Sequence, residues 1–422
     1  MENSKRRDFI KTVGPGLLFA STAIGTSHLV LSTRAGAHHG LIFILIIVGT
    51  LLLKYPFYEF GPRYVAATGN SLIKGYKHQG DWAVYLFLAV ISINMFAVTG
   101  AIAAVSAGLL STMIGIKASI PHLVGIVIGV TVLILLIGGY SFLDIFIKVL
   151  SVILLITVSI AFTAVLMNGP IVKNPDFIAP KLLEGTGLAL LVSLIGWMPA
   201  GMEASTMHSI WVVEKMKDTN YKPSLSESLF DFNLGFIFTT ILALMFLTIG
   251  AFTVFGSGLL LEGNATQFSN QLLQIFVSNL GNWSYWIIAI AAFGTIYGTL
   301  ITVLDAFTRS FIRGILVLYN DNKSEQEKNK LLQRNYKILL PILGLGAFAL
   351  FYFSAASMLK ILQLATIIAF LTSPIIAFLN VKAINSKEVS LEYKPPSVLI
   401  ILAYFGLIAS ILFSLYYVYT LF

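Results

Sequence analysis

The apolar stretch from Gly187 to Met216 constrains the fold of this chain more than any other segment. It is long enough to cross a lipid bilayer. Its middle, Gly196-Trp-Met-Pro-Ala-Gly-Met202, cannot continue as a regular helix, because Pro199 lacks an N–H and the two glycines weaken the same turns. Backbone groups exposed by such a break are tolerated in a membrane only where they line a cavity or pack against protein. Glu203 follows the break directly, and a carboxyl group at that depth indicates a binding site.

The composition is that of a polytopic membrane protein, since 57% of the 422 residues are hydrophobic and 11% are charged. The net charge of +8 arises mainly in predicted loops, so it indicates topology and not binding to nucleic acid. The absence of cysteine excludes disulfides, thiolate metal ligands and cysteine nucleophiles. The sequence shows no nucleophile–base pair, phosphate loop or closed cluster of metal ligands, so we expect neither an enzyme nor a bound cofactor.

Eleven membrane-spanning helices are predicted, each sized by the ~20 residues that a bilayer requires. They cover residues 13–36, 41–66, 82–114, 121–139, 142–167, 187–216, 230–255, 283–315, 337–354, 357–381 and 397–421. Loops on the side of the N-terminus carry most of the lysine and arginine. By the positive-inside rule, we expect a multi-pass protein of the cell (inner) membrane with a cytoplasmic N-terminus and an external C-terminus.

The first span is also interrupted at its middle. The run Gly25-Thr-Ser-His28 combines a helix-weakening glycine with side chains that compete for backbone hydrogen bonds. Two interrupted spans that lie five apart are typical of inverted-repeat transporters such as the leucine-transporter group. We therefore predict an all-α integral membrane protein with eleven transmembrane helices, a 5+5 inverted repeat and broken helices 1 and 6. One domain is expected over residues 1–422, with repeats at about 13–167 and 187–381 and an extra helix at about 397–421.

Short motifs along most of the chain resemble those of the NRAMP family of proton-coupled divalent-metal transporters. Gly14-Pro-Gly-Leu-Leu18 and Ala35-Gly-Ala37 bracket the first span as in that family. Ala67-Thr-Gly69 resembles its loop after span two, His208-Ser209 the end of its sixth-span motif, and Gly294-Thr295 its eighth span. The resemblance implies the transporter fold and a metal site that involves spans one and six.

The chain departs from the family where the resemblance places the chemistry. The family's first-span Asp-Pro-Gly-Asn run, which supplies metal ligands, falls on Gly25-Thr-Ser-His28, where no carboxylate remains. Its two acids in span three, which move protons, fall on Asn94 and Ala97. We therefore expect altered or absent proton coupling.

The family's sixth-span Met-Pro-His motif fits this chain in two registers. If Met198-Pro199 is the match, the thioether is kept and the histidine becomes Ala200. If His208-Ser209 sets the register, the methionine position is about Gly201 and the histidine position is Glu203. The sequence leaves both registers open.

The two interruptions are predicted to face each other across one polar chamber that binds the substrate. Its predicted lining is Gly25, Thr26, Ser27, His28, Met198, Pro199, Ala200, Gly201, Met202 and Glu203. The candidate metal ligands are His28, Met198 and Glu203, because carboxylate and imidazole suit a transition metal and a thioether disfavours Ca²⁺ and Mg²⁺. Each also has a structural interpretation, as a histidine bonded across helices, a packing methionine and an acid at a half-helix N-terminus.

These features predict a secondary transporter of a divalent inorganic cation of the Mn, Fe or Mg class. Its expected partners are the transported ion and the lipid bilayer, and the coupling ion stays open. The alternative is a transporter of the same fold for a small organic solute such as an amino or organic acid, since half-helix N-termini and hydroxyl groups suit an anionic group. A non-transporting membrane sensor is disfavoured because the chain has no large soluble output domain.

Overall fold

The computed structural model describes residues 14–115, 118–138, 140–172, 174–259, 261, 265–354 and 357–422, without the side chains of residues 140–148, 150 and 151. The described α-helices are α1 (Pro15–Ala23), α2 (Thr33–His39), α3 (Phe43–Thr68), α4 (Leu72–His78), α5 (Asp81–Ile114), α6 (Ile120–Ile137), α7 (Tyr140–Asn168), α8 (Gly185–Trp197), α9 (Ala204–Thr219), α10 (Leu225–Thr253), α11 (Ala265–Leu280), α12 (Tyr285–Tyr319), α13 (Glu325–Phe353), α14 (Met358–Ile384) and α15 (Ser397–Tyr419). A π-helical segment, Ser27–Ser32, connects α1 to α2.

The helices follow the predicted spans. Eight segments of the described chain are long and apolar enough to cross a membrane, and one of them, Ser27–Thr68, joins the second half of the first span to α3. The first and sixth predicted spans are each divided, into α1 with α2 and α8 with α9. The basic N-terminal run of residues 1–11, which the sequence predicts to be a cytoplasmic tail, lies outside the described residues.

The ninth span begins earlier than its apolar pattern indicates. The sequence predicts a solvated loop from Asn320 to Asn335, whereas α13 already begins at Glu325. A capping box explains the difference, because the Ser324 hydroxyl accepts from the Glu327 N–H and the Glu327 carboxylate accepts from the Ser324 N–H. The loop prediction is wrong for most of this segment, since apolar content marks only the part of a helix that lies in the membrane.

Helix α11 lies in the stretch from Asn264 to Leu280, where the sequence predicts either a short amphipathic helix at the membrane interface or a surface loop helix. Its apolar face is buried, with Phe268, Leu272 and Phe276 at most 2% exposed. It packs mainly against α5. The helix therefore covers the bundle with its apolar face.

Helix α10 packs along both halves of the broken first span. At one end, the Asp231 carboxylate accepts hydrogen bonds from the N–H groups of Gly14 (3.0 Å) and Gly16 (2.6 Å), where the N-terminus of α1 favours negative charge. Glycines permit the close approach: a Cβ on Gly235 would overlap the backbone of Gly16, and one on Gly250 would overlap the backbone of α2. Such small residues let helix backbones come close together in membranes.

Candidate functional site

The second break separates α8 from α9. Helix α8 ends at Trp197, Met198 is extended, the Met198–Pro199 peptide bond is cis, and α9 begins at Ala204. The break therefore lies where Pro199 and its neighbouring glycines predict it. Gly196 in the last turn of α8 lies against α14, so that an added Cβ would be 3.1 Å from the Cβ of Phe370.

One face of α3 holds the second break in place. Lys54 donates hydrogen bonds to the carbonyl groups of Ile195 (2.6 Å) and Gly196 (3.1 Å) at the end of α8. One turn further along α3, the Tyr58 hydroxyl donates to the carbonyl of Ala200 (2.6 Å) and lies 3.1 Å from the next carbonyl. Carbonyl groups that the break frees are thereby satisfied, as a membrane interior requires.

A buried polar network supports the start of α9. The Asn380 amide donates to the carbonyl of Phe57 (3.0 Å) and to the hydroxyl of Ser205 (2.8 Å), and it accepts from the Tyr76 hydroxyl (2.5 Å). The same Tyr76 oxygen lies 2.9 Å from Thr206 Oγ1. These partners come from distant parts of the chain, so no local sequence pattern predicts their hydrogen bonds.

The first break lies at Ile24 and Gly25, at the start of the predicted interruption. Thr299 of α12 supports it: the hydroxyl lies 3.3 Å from the carbonyl of Ser21 and 3.5 Å from that of Ile24. A Cβ on Gly25 would approach Thr299 Oγ1 to 2.6 Å. Gly25 thus allows α12 to reach the freed carbonyl groups.

The two breaks face each other across one cavity. Half of the predicted site residues line it: Thr26, Ser27, Ala200, Gly201 and Glu203. The rest of the lining comes from α1, α5, α8, α9 and α12: Thr22, Ala23, Val98, Ile102, Trp197, Ala204, Met207, Thr299, Val303 and Phe307. The structure therefore brings together the chamber that the sequence predicts, with a partly different set of side chains.

Glu203 supplies the carboxylate of this cavity. The residue is 4% exposed, and its carboxylate lies over Gly201, where an added Cβ would be 2.7 Å from the carboxyl carbon. Within the described residues no ion pair or side-chain hydrogen bond reaches this carboxylate, and the nearby Lys54 is directed at carbonyl groups instead. Because an unneutralised buried carboxylate is costly, it attracts a positively charged ligand.

Thr26 offers a free oxygen, whereas Ser27 and His28 are engaged. The buried Thr26 hydroxyl has no hydrogen-bond partner in the part of the chain that the structure describes. Ser27 Oγ lies 2.8 Å from the carbonyl of Ala23 and 2.8 Å from His28 Nδ1, and His28 Nε2 donates to the carbonyl of Thr239 (3.0 Å). His28 does not line the cavity, and it would have to lose one of these bonds to bind an ion.

The cavity contains a different methionine from those the sequence singles out. Met198 and Pro199 do not line it, and Met202 faces a separate cavity. Met207 lines it instead. Glu203 directly precedes α9 with helical backbone angles, and Met207 follows it by four residues, so helical periodicity places both side chains on one face. This spacing is the signal in the sequence that identifies Met207.

The two positions that the resemblance assigns to the family's proton-moving acids, Asn94 and Ala97, lie on α5. Asn94 is buried, and its amide donates to the carbonyl of Val90 (3.2 Å) and to Thr372 Oγ1 (3.0 Å). Helix α5 contains no acidic residue after Asp81. One turn after Asn94, the apolar side chain of Val98 lines the cavity.

The donor groups of the cavity are few and of different kinds. Apart from the hydroxyls of Thr22, Ser27 and Thr299, which donate to backbone carbonyl groups, they are the carboxylate of Glu203, the hydroxyl of Thr26 and the thioether of Met207. Among the described residues no group of three or more His, Cys, Asp or Glu side chains is arranged to hold a metal ion. A cation bound here would keep part of its water shell, which suits a transported ion better than a structural one.

Comparisons with known proteins agree with this architecture. The chain matches the model of the natural resistance-associated macrophage protein-like family over residues 16–420. It is 34% identical over 393 residues to an uncharacterized protein of Pasteurella multocida (strain Pm70), an alignment that covers 92% of this chain and 88% of that protein.

Two solved structures of a manganese transporter from Eremococcus coleocola are similar in fold, at 14% sequence identity. The complex with an aromatic bis-isothiourea substituted compound superposes with a TM-score of 0.72 and covers 98% of this chain and 87% of that one. A histidine-to-alanine mutant superposes with a TM-score of 0.71 and covers 96% and 86%.

The structural similarity confirms the predicted all-α fold of the leucine-transporter type with broken helices 1 and 6. The family match confirms the resemblance drawn from the short motifs, and it identifies a multi-pass membrane transporter and not an enzyme. Over nearly its whole length, the chain belongs to the natural resistance-associated macrophage protein-like family.

Proposed function

We propose that this chain is a secondary transporter that moves a divalent cation of the Mn, Fe or Mg class through the cavity between its two broken helices. The observation that carries the proposal is the Glu203 carboxylate, which is buried in that cavity without an ion-pair partner among the described residues. The family match and the fold shared with a manganese transporter support it.

The proposed ligands are Glu203, Thr26 and Met207, which line the same cavity. A carboxylate and a hydroxyl suit a hard or borderline divalent ion, and the thioether favours Mn²⁺ or Fe²⁺ over Mg²⁺ and Ca²⁺. His28 and Met198 remain predicted ligands, but neither side chain lines the cavity in this structure.

Altered or absent proton coupling is part of the proposal. Asn94 and Ala97 replace the acids that the family resemblance places in span three. An amide and a methyl group do not take up or release a proton near neutral pH, so the usual relay cannot operate through α5.

A small organic solute is the second candidate substrate, because apolar side chains such as Val98, Ile102 and Phe307 form much of the cavity lining. The position of Glu203 weighs against an organic acid, since two carboxylates in one buried cavity repel each other. The cation is therefore the better fit.

We further propose that the transporter lies in the cell (inner) membrane with a cytoplasmic N-terminus and an external C-terminus, on the distribution of lysine and arginine among the loops. Residues 13–167 and 187–381 form the two inverted repeats, and residues 397–421 form the added helix. The support for these repeats is that a broken span opens each of them.

The experiment is uptake of Mn²⁺ into proteoliposomes by the wild type, Glu203→Gln and Glu184→Gln. Glutamine keeps the size of the side chain and removes its charge, so Glu203→Gln is expected to abolish uptake. Glu184 is an exposed acid paired with Lys181 outside the cavity, and its variant should transport normally.

The proposal fails if the wild type neither moves nor binds Mn²⁺, Fe²⁺ or Mg²⁺, or if both variants transport equally well. Thermal stabilisation of the purified protein by amino or organic acids, without any by the metal ions, would establish the second candidate.

A further inference from the structure

Lys54 is a buried cation in the middle of the membrane-spanning helix α3. The residue is 7% exposed, and its ammonium group lies 2.6 Å from the carbonyl oxygen of Ile195 and 3.1 Å from that of Gly196. These carbonyl groups belong to the last turn of α8, where they have no intrahelical donor and carry partial negative charge. In transporters with broken helices, half-helix ends of this kind coordinate the coupling ion.

The geometry points to Lys54 as a tethered cation: its side chain fills an ion site at the end of α8, so that transport needs no separate monovalent coupling ion such as Na⁺.

The direction of the ammonium group supports this role. Glu203 lies on the other side of the break and attracts Lys54 electrostatically. A lysine that served to neutralise this carboxylate would form an ion pair with it, yet the ammonium group is bonded to two neutral carbonyl oxygens. Neutral carbonyl oxygens are the ligands that half-helix ends offer to small cations.

The other charged groups near Lys54 have partners of their own. On α3 itself, Glu59 is paired with Arg63 at 2.5 Å. The parts of α14 and α15 that face Lys54 contribute Phe370, Ser373 and Phe413, which carry no charge. Within the described residues the carbonyl groups of α8 are thus the bonded partners of the ammonium group.

A cavity beside the Lys54 side chain makes the role testable. It lies between α3, α8, α14 and α15 and is lined by Phe57, Met202, Phe370 and Phe413, among others. If the lysine is shortened to alanine, this cavity gives access for a small ammonium ion. Propylammonium has the three carbons and the nitrogen that Lys54→Ala removes.

The first measurement needs no variant. Uptake of Mn²⁺ by the wild type is expected to be the same when Na⁺ is replaced by K⁺ or by N-methylglucammonium. A requirement for Na⁺ would overturn the inference. This measurement rests on the proposed cation transport, whereas the stability measurements below do not.

The second measurement compares Lys54→Ala with Lys54→Met. Each variant leaves two buried carbonyl groups without their donor, so we expect a lower midpoint of thermal unfolding and a loss of uptake of roughly tenfold or more. Propylammonium should restore Lys54→Ala and should leave Lys54→Met unchanged, because the methionine side chain occupies the space that the amine needs.

Two results would overturn the inference in these variants. One is a Lys54→Met protein with the unfolding midpoint and uptake of the wild type, since the carbonyl groups would then need no cation. The other is an increase in unfolding midpoint with propylammonium that is equal in Lys54→Ala, Lys54→Met and the wild type, since the amine would then act elsewhere.

Discussion

Tyr58 provides a sharp test of how α3 supports the second break. Its hydroxyl donates to the carbonyl of Ala200 at 2.6 Å, and its ring packs edge-to-face on Phe19 with 5.4 Å between the ring centroids. Tyr58→Phe removes the donor and keeps the ring, so the change creates no large cavity. Its effect therefore reports the hydrogen bond alone.

The expected cost follows from burial, because Tyr58 is 0% exposed. A buried carbonyl group left without its donor costs about 1–3 kcal/mol. At about 2 °C per kcal/mol for a long chain, the midpoint of thermal unfolding should fall by about 2–6 °C. Because Ala200 lines the cavity, Mn²⁺ uptake should fall as well. The assay is thermal unfolding of the purified protein in detergent, together with uptake into proteoliposomes.

Tyr64 on the same helix is a matched control. It is also 0% exposed, and its hydroxyl has no hydrogen-bond partner among the residues described. Tyr64→Phe should therefore leave the unfolding midpoint unchanged or raise it slightly. The reasoning is refuted if Tyr58→Phe is as stable as the wild type, or if both variants lose stability equally.

Two further predictions concern the cavity and the loop between α12 and α13. Met207→Leu removes the sulfur and keeps an apolar side chain of similar size, so Mn²⁺ uptake should fall several-fold while Mg²⁺ uptake is retained, and an equal loss for both ions would contradict the role of the thioether. Between α12 and α13, partial burial acts to raise the pKa of Asp321, but the hydrogen bond from Lys74 and the charges of Lys74, Lys328 and Lys77 outweigh it and lower that pKa below its ordinary value. A lowered pKa in the folded state stabilises the protein above the unfolded-state pKa of about 4, and this contribution is lost as the pH falls through the folded-state value. Acidification should therefore destabilise the wild type more than Asp321→Asn, whereas an Asp176→Asn control in an exposed loop should behave as the wild type.

The sequence predicts the broken helices because their causes are local. Pro199 and the glycines beside it prevent a regular helix wherever they stand in a membrane, and Gly25 has a similar effect in the first span. The length of each apolar run sets the remaining spans. The exception is the start of α13, where a capping box extends the helix beyond its apolar part.

The composition of the site could be predicted only in part. Residues at a break are identified from the sequence, but which of them face the cavity depends on rotations that the sequence does not specify. Thr26 and Glu203 face it, whereas the ring of His28 is bonded to the backbone of α10. Lys54 and Tyr58 meet their carbonyl partners 141 and 142 residues further along the chain, and one sequence contains no signal for such a contact.

The contact between α10 and the first span has a consequence for how the molecule moves. Gly235 and Gly250 allow α10 to pack closely against α1 and α2, which lie on the two sides of the break at Gly25. The Asp231 carboxylate of α10 also accepts hydrogen bonds at the start of α1. Because α10 contacts the first span on both sides of its break, the first span cannot bend at Gly25 unless it also slides along α10. The first span and α10 must therefore travel as a pair when the transporter changes the side to which it opens, and a cross-link between them should leave turnover intact.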